Sequence, residues 1–216
     1  CRYPDPGCRE LTAALSGREG VSPDAILCGC GAAELIYAYC GALGAVRALM
    51  PAPTFLEYGA ALEAFGGEAE PFFLKEAEGF ALTEAFLTAL ERTDCGAVFL
   101  CSPNNPTGRL IRPELLEEIC RICHRRGLRL FVDECFLELS DGGRGASLAP
   151  LLRPGRRLFL LRAFTKSYAM AGLRLGYCLC GEGALLERMG RQTQPWNVSV
   201  PAQAAGLAAL GEEAYL

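Results

Sequence analysis

Histidine is nearly missing from this chain: there is one, His124, in 216 residues. It falls on a helical pattern, so catalysis or metal binding built on histidine is excluded. A basic excess is missing too. The formal net charge is −4 and the pI is near 5.2. The basic residues are dispersed, with Arg125–Arg126 and Arg156–Arg157 the densest groups. A nucleic-acid partner needs a basic face and is not expected. No stretch approaches the ~20 uninterrupted apolar residues of a membrane span, so no membrane partner is expected either. No secretory signal pattern opens the chain, which predicts a cytoplasmic setting. Repeats, low-complexity tracts and linkers are also lacking, so residues 1–216 read as one domain. The numbering starts at Cys1 rather than at Met, and Tyr215–Leu216 continue an apolar helical pattern. The chain therefore reads as a piece of a longer protein.

Cysteine, by contrast, is plentiful, with twelve residues, but the spacing is not that of a disulfide framework. Cys28, Cys40, Cys178 and Cys180 lie inside apolar runs, where a free thiol behaves as a small buried hydrophobe. Reduced core cysteines are the expectation. Cys120-Arg-Ile-Cys123-His124 matches the C-x-x-C-H pattern of c-type haem attachment. Its surroundings are helical, however, and their period puts Leu116, Ile119, Cys120 and Cys123 on one stripe. Helix packing, not haem, is predicted.

Short apolar runs alternate with amphipathic stretches of ten to fourteen residues. The spacing predicts strands over Ala25–Cys28, Arg47–Met50, Ala69–Leu74, Ala97–Cys101, Arg129–Val132, Leu158–Leu161 and Leu173–Cys180. Helices are predicted over Cys8–Leu15, Ala32–Ala42, Phe55–Phe65, Thr83–Arg92, Pro113–Arg125, Ala184–Arg191 and Pro201–Ala209. Ala-Val-Phe-Leu-Cys and Leu-Phe-Leu-Leu are continuous hydrophobic runs, as in strands buried on both faces. The implied fold is α/β: a three-layer α/β/α sandwich on a mostly parallel seven-stranded sheet. In such sheets ligands bind beyond the carboxyl ends of the strands, often with a phosphate on a helix N-terminus.

Five segments just past strand ends carry the candidate chemistry. Gly29-Cys30-Gly31-Ala32-Ala33-Glu34 runs straight into a helix, where small residues let backbone amides approach an anion. It fits neither nucleotide loop, since Glu34 takes the third glycine's place and no lysine follows. A turn that needs glycine for conformation alone remains the alternative. In Met50-Pro-Ala-Pro-Thr54-Phe55, the Phe55 ring could lie against a planar ligand or be a core aromatic. Ser102-Pro-Asn104-Asn105-Pro-Thr107-Gly108 specifies a rigid turn. A turn needs only one asparagine, and a rigidly placed amide suits recognition of a hydroxyl or phenolate oxygen. Asp133 follows an apolar strand, where a carboxylate asks for a cationic partner, such as a protonated heterocyclic nitrogen, unless it caps a turn. Lys166 is either a loop lysine or a desolvated amine suited to Schiff-base chemistry. Arg174, at the start of the next apolar run, asks for an anion, to which Thr165 could add a hydroxyl.

Together Gly31-Ala-Ala-Glu34, Pro53-Thr-Phe55, Asn104-Asn-Pro-Thr-Gly108, Asp133-Glu-Cys-Phe136 and Thr165-Lys166 through Arg174-Leu-Gly-Tyr177 resemble the class I/II aminotransferases, the fold-type-I enzymes of pyridoxal 5′-phosphate (PLP). The motifs follow the family's order from Tyr3 to Gln203. The resemblance implies that this is the large PLP-binding domain, with Lys166 bonded to PLP as a Schiff base. It implies that Asp133 pairs with the pyridinium nitrogen, Asn105 bonds the phenolic oxygen and Phe55 stacks on the ring. Arg174, Thr165 and the backbone of Ala32 and Ala33 would hold the phosphate. Tyr3 would reach a neighbour's cofactor phosphate, which implies a homodimer. No metal is implied. Phe136 departs from the family's common tyrosine, and Ala163 stands where a serine or threonine often helps with the phosphate.

Within the family, Gln192-Thr-Gln194-Pro195-Trp196-Asn197-Val198, together with Phe136, resembles the threonine-phosphate decarboxylases. The expected activity is therefore decarboxylation of O-phospho-L-threonine, as in cobalamin biosynthesis. The alternative is a histidinol-phosphate-type aminotransferase with a 2-oxo acid acceptor. Either substrate is a small phosphorylated amino acid or amine. The arginine that orients a substrate carboxylate is expected in a C-terminal small domain outside this chain. A third class, a PLP-sensing domain of a transcription regulator, would carry a helix-turn-helix domain ahead of Cys1.

Overall fold

A computed structural model describes residues 2–212 and residue 215. Seven strands form one sheet: β1 (Ile26–Gly29), β2 (Arg47–Ala52), β3 (Glu68–Phe73), β4 (Ala97–Cys101), β5 (Arg129–Asp133), β6 (Leu158–Ala163) and β7 (Gly176–Cys180). Their order across the sheet is β1-β7-β6-β5-β4-β2-β3. The pairs from β6 through β3 are parallel, and β7 runs antiparallel to both of its neighbours. Every residue of β4, β6 and β7 is buried, as the apolar runs Ala97–Cys101 and Leu158–Leu161 predict for the first two, and the burial in β6 extends to Arg162.

Helices cover both faces. On one face lie α2 (Gly31–Leu43), α3 (Glu57–Ala64) and α7 (Gly183–Gly190); their apolar residues share a core with Phe99, Phe131, Phe159 and Leu161. Phe99 stacks on Phe131 at 4.6 Å and Phe131 on Phe159 at 5.0 Å, with Tyr39 of α2 packed 4.5 Å from Phe159. Burying each such side chain is worth on the order of 2–3 kcal/mol relative to exposure. The other face packs α1 (Arg9–Glu19), α4 (Ala85–Arg92), α5 (Pro113–Arg126) and α8 (Val200–Leu210) over Leu100, Leu130, Val132, Leu160 and Leu179. The three-layer α/β/α sandwich is thus observed.

Local chemistry sets the helix ends. Pro113 opens α5, Gly127 closes it in the left-handed conformation, and His124, Arg125 and Arg126 occupy its last turn, where cations suit the dipole. Leu116, Ile119, Cys120 and Cys123 are all buried on one stripe of α5, as its period predicts, and His124 is exposed. Ser199 caps α8 by accepting from the Ala202 N–H. All eleven cysteines among the described residues are free thiols, ten of them buried. Among the described residues, no helix is long and apolar enough to cross a membrane.

Three expectations are corrected. The last strand begins at Gly176, not at Leu173, because Ala171–Leu173 forms a 3-10 turn and Arg174 turns the chain in the left-handed conformation at φ 55°. Arg174 therefore precedes the strand rather than starting it. Phe55 lies ahead of α3, which begins at Glu57. Lys166 sits on a one-turn helix, α6 (Phe164–Ser167), too short to leave a periodic pattern in the sequence.

Candidate active site

The functional candidates gather at one edge of the sheet. Parallel strands β2, β4, β5 and β6 deliver their carboxyl ends there. Because β7 is antiparallel, its first residue, Gly176, pairs with Ala163 at the end of β6 and with Gly29 at the end of β1. Arg174 and the N-terminus of α2 thereby arrive at the same edge as Asp133 and Lys166.

Asp133 is 6% exposed and accepts two hydrogen bonds, from the Cys135 N–H to Oδ1 at 2.8 Å and from the Tyr58 hydroxyl to Oδ2 at 2.7 Å. Burial pushes its pKa up, while those bonds and the charge of Lys166 act in the opposite direction. No cationic side chain among the described residues bonds it. Tyr58 is the partner that the sequence reading missed; its ring is fully buried, and burial together with the Asp133 charge raises its pKa. A buried tyrosine hydroxyl must find an acceptor, and the placement of Tyr58 three residues after Phe55 was the one available hint. Phe55 itself is half-buried, with its ring edge-on to Tyr58 at 5.6 Å.

The two asparagines divide the work of their turn. Asn104 is buried and locks the loop: Nδ2 donates to Pro53 O and Thr107 Oγ1, both at 3.0 Å, and Oδ1 accepts from Thr54 Oγ1 at 2.8 Å. The Asn105 amide, half-buried beside it, makes no hydrogen bond among the described residues. Lys166 is exposed, and its Nζ stands 5.1 Å from the centroid of the Phe136 ring, a cation–π contact. The sequence contains only one other lysine, Lys75, which is exposed and pairs with Glu78 at 3.4 Å.

An anion cradle forms where α2 begins. Gly31 has φ +80°, and a Cβ there would meet Arg174 Nη2 at 2.6 Å. The guanidinium therefore lies directly over the first residue of the helix. Gly176 permits an equally close approach, since a Cβ on it would come within 2.9 Å of Ala32 N. Glu34 Oε2 accepts from the Cys30 N–H at 2.6 Å and from Asn197 Nδ2 at 2.6 Å, tying off that amide. The following N–H groups, of Ala32 and Ala33, have no helical acceptor and stand at the positive end of the dipole beside Arg174. Thr165 is buried on α6, and its hydroxyl is unbonded among the described residues.

Tyr3 stands apart from this set. It is 77% exposed on the segment ahead of α1 and packs against Trp196, with centroids 4.8 Å apart and the rings tilted by 32°. Elsewhere, Glu70, Asp94 and Cys95 converge as metal ligands would. Arg47 already fills that cluster, donating to Glu70 at 2.5 Å and to Asp94 at 2.7 Å.

The arrangement fits PLP. A buried carboxylate without a cation suits a protonated ring nitrogen, and a free amide suits an oxygen acceptor. An open helix end under an arginine suits a phosphate. A model of the family "Aminotransferase class I and II" matches residues 2–215. A threonine-phosphate decarboxylase of Salmonella typhimurium is 39% identical over 214 residues, 99% of this chain and 58% of that protein. A histidinol-phosphate aminotransferase of Desulfitobacterium hafniense is 39% identical over 222 residues, 98% of this chain and 59% of that protein. The chain thus spans less than two thirds of these relatives. The crystal structure of the histidinol-phosphate aminotransferase from Clostridium acetobutylicum superposes with a TM-score of 0.89 at 26% identity, covering 99% of this chain and 62% of that one.

Proposed function

The chain belongs to the class I and II aminotransferase family, whose members are PLP-dependent enzymes, and on that premise we propose that Lys166 holds PLP and that the full-length protein decarboxylates O-phospho-L-threonine. Arg174, Thr165 and the Ala32 and Ala33 amides would hold the phosphate. Asp133 would keep the ring nitrogen protonated, Asn105 would donate to the phenolic oxygen, and Phe55 would cover the ring face. When bound, PLP supplies an electron-accepting ring that weakens the bonds at the substrate α-carbon. The Lys166 ammonium would donate the proton that takes the place of the carboxylate lost as CO₂, leaving aminopropanol phosphate and a neutral Lys166 amine.

The observation carrying the decarboxylase reading is Trp196 within Gln194-Pro195-Trp196, a stretch that resembles those enzymes; Phe136, which has no hydroxyl to offer, agrees with it. The equal identity to a histidinol-phosphate aminotransferase supports a second reading alongside it, in which Lys166 instead removes the proton from the α-carbon. Tyr3 and Trp196, exposed together, would lie in a homodimer interface with Tyr3 directed to the partner's phosphate.

The test uses the full-length protein with O-phospho-threonine, and separately with histidinol phosphate plus 2-oxoglutarate. Release of CO₂ without a keto acid is expected; keto-acid-dependent turnover without CO₂ overturns the decarboxylase assignment. Borohydride reduction of the PLP-loaded protein should label Lys166 and spare Lys75. A label that survives Lys166→Ala overturns the site.

A further inference from the structure

Behind the site, on the opposite face of the sheet from the Asp133 carboxylate, six charged side chains form one cluster: Arg18, Arg144 and Arg162 with Glu19, Glu134 and Glu138. Its centre is the pair Glu134–Arg162. Glu134 Oε2 accepts from Arg162 Nε at 2.9 Å and from Ser147 Oγ at 2.9 Å, and its Oε1 accepts from the Leu148 N–H at 2.9 Å. Arg162 also donates to Ser147 Oγ at 2.8 Å. The side chains of Glu134 and Arg162 are 1% and 4% exposed. From there the network extends sideways. Tyr177, opposite Arg162 in the sheet register, donates to Glu19 Oε1 at 2.7 Å. Arg144 bridges Glu19 at 3.0 Å and Glu138 at 3.1 Å, and Arg18 meets Glu138 at 2.9 Å.

An apolar set of the same volume would stabilise the fold about as well as buried ion pairs, whose desolvation cost offsets their attraction. What an ion cluster adds is direction, because each bond holds only in one geometry. The placement of this cluster matters for that reason. Glu134 directly follows Asp133, and its backbone N–H bonds Leu161 O of β6 at 2.9 Å. Arg162 is four residues before Lys166 on the strand that leads into α6, and Tyr177 is three residues after Arg174. The cluster thus joins the three strands that present the carboxylate, the amine and the guanidinium.

We propose that Glu134 and Arg162 are positioning residues that fix Asp133 and Lys166 relative to each other through the sheet. The inference rests on the reading of those two residues as cofactor contacts, but its first readout does not require the cofactor. In the full-length protein, Glu134→Gln keeps the size and removes the charge. The Cys135 N–H, which donates to Asp133, should exchange with solvent at least tenfold faster, while the amides of β4 keep their protection. PLP affinity should fall about tenfold and the pH midpoint of the bound cofactor's visible absorbance should shift, with Arg162→Lys giving a partial rescue relative to Arg162→Met. If Glu134→Gln does not fold, Ser147→Ala, which removes one shared hydrogen bond and no charge, decides by the same criteria at smaller amplitude. Unchanged exchange at Cys135, or faster exchange spread evenly over β4 as well, overturns the proposal. A wild-type protein that takes no PLP at Lys166 defeats the preceding reading instead, and exchange at Cys135 still judges this one.

Discussion

Replacing Asp133 by Asn separates what this residue does for the fold from what it does for the cofactor. Both hydrogen bonds can survive the change. The new amide oxygen can accept from the Cys135 N–H, and its NH₂ can face Tyr58, whose hydroxyl turns to accept. The negative charge is what disappears. Burial holds the Asp133 pKa above its ordinary value of 3.8, so folding without PLP disfavours the charged form relative to the unfolded chain. The resulting penalty is absent below the unfolded pKa, grows as the pH rises through that value, and levels off above the folded one. Without PLP, Asp133→Asn should therefore match wild type near pH 3.5 and be equally or more stable at pH 7. With PLP the order reverses. Removing one partner of a buried charge pair costs about 3–5 kcal/mol, and taking the low end gives on the order of a hundredfold weaker binding. Thermal melts with and without PLP at several pH values, alongside an absorbance titration of PLP, would measure both effects. Binding weakened less than fivefold would refute the pairing with the ring nitrogen. A loss of stability in the PLP-free variant at pH 7 would refute the argument from burial.

Gly31→Ala places a Cβ against Arg174 at φ +80° and should cost about 1–2 kcal/mol of stability. Affinity for PLP should drop while affinity for pyridoxal, which lacks the phosphate, changes little; equal losses for the two ligands would argue against the cradle. Tyr58→Phe removes a buried hydrogen bond to a carboxylate, with an expected loss of about 1.5–3 kcal/mol, read by denaturant unfolding. Asn104→Ala breaks three side-chain bonds and should destabilise by roughly 2–4 kcal/mol, whereas Asn105→Ala should leave the melting curve within about 0.5 kcal/mol and shift the visible spectrum of bound PLP. The opposite pattern would exchange the roles assigned to the two asparagines.

The central strands were legible because each is built on a short apolar run between turn residues, and the candidate residues because chemistry follows those runs directly; the edge strand β3, Glu68–Phe73, is polar in its first half and showed itself only by its aromatic end. Asp133 and Lys166 stand out as charges where apolar strands stop. What escaped the sequence was of three kinds. Tyr58 belongs to the buried stripe of α3, and nothing in a helical period distinguishes a tyrosine that only packs from one that also bonds a carboxylate across the core. The start of β7 was misread because Leu173 and Leu175 extend the hydrophobic run, whereas a left-handed turn at Arg174 separates them from the strand. The ion cluster behind the site was invisible for a different reason. Its members run from Arg18 to Tyr177, each resembling an ordinary surface charge or a packed aromatic, and only strand register assembles them. Tyr3 was singled out by resemblance alone, and its tilted packing against Trp196 follows from the path of the arm, which no local pattern encodes.

Asp133 and Glu134 are neighbours in sequence that serve opposite sides of one sheet, and this makes β5 intolerant of a particular kind of genetic change. Because strand side chains alternate faces, deleting or inserting one residue within Arg129–Val132 would exchange the two carboxylates. The shorter acid would be delivered to the arginine cluster and the longer one to Tyr58. Point substitutions along the strand leave the alternation intact, so this lineage can drift in composition there but not in length. Length variation among relatives should accordingly accumulate in the connection after Leu139 and not in the five residues that precede Glu134.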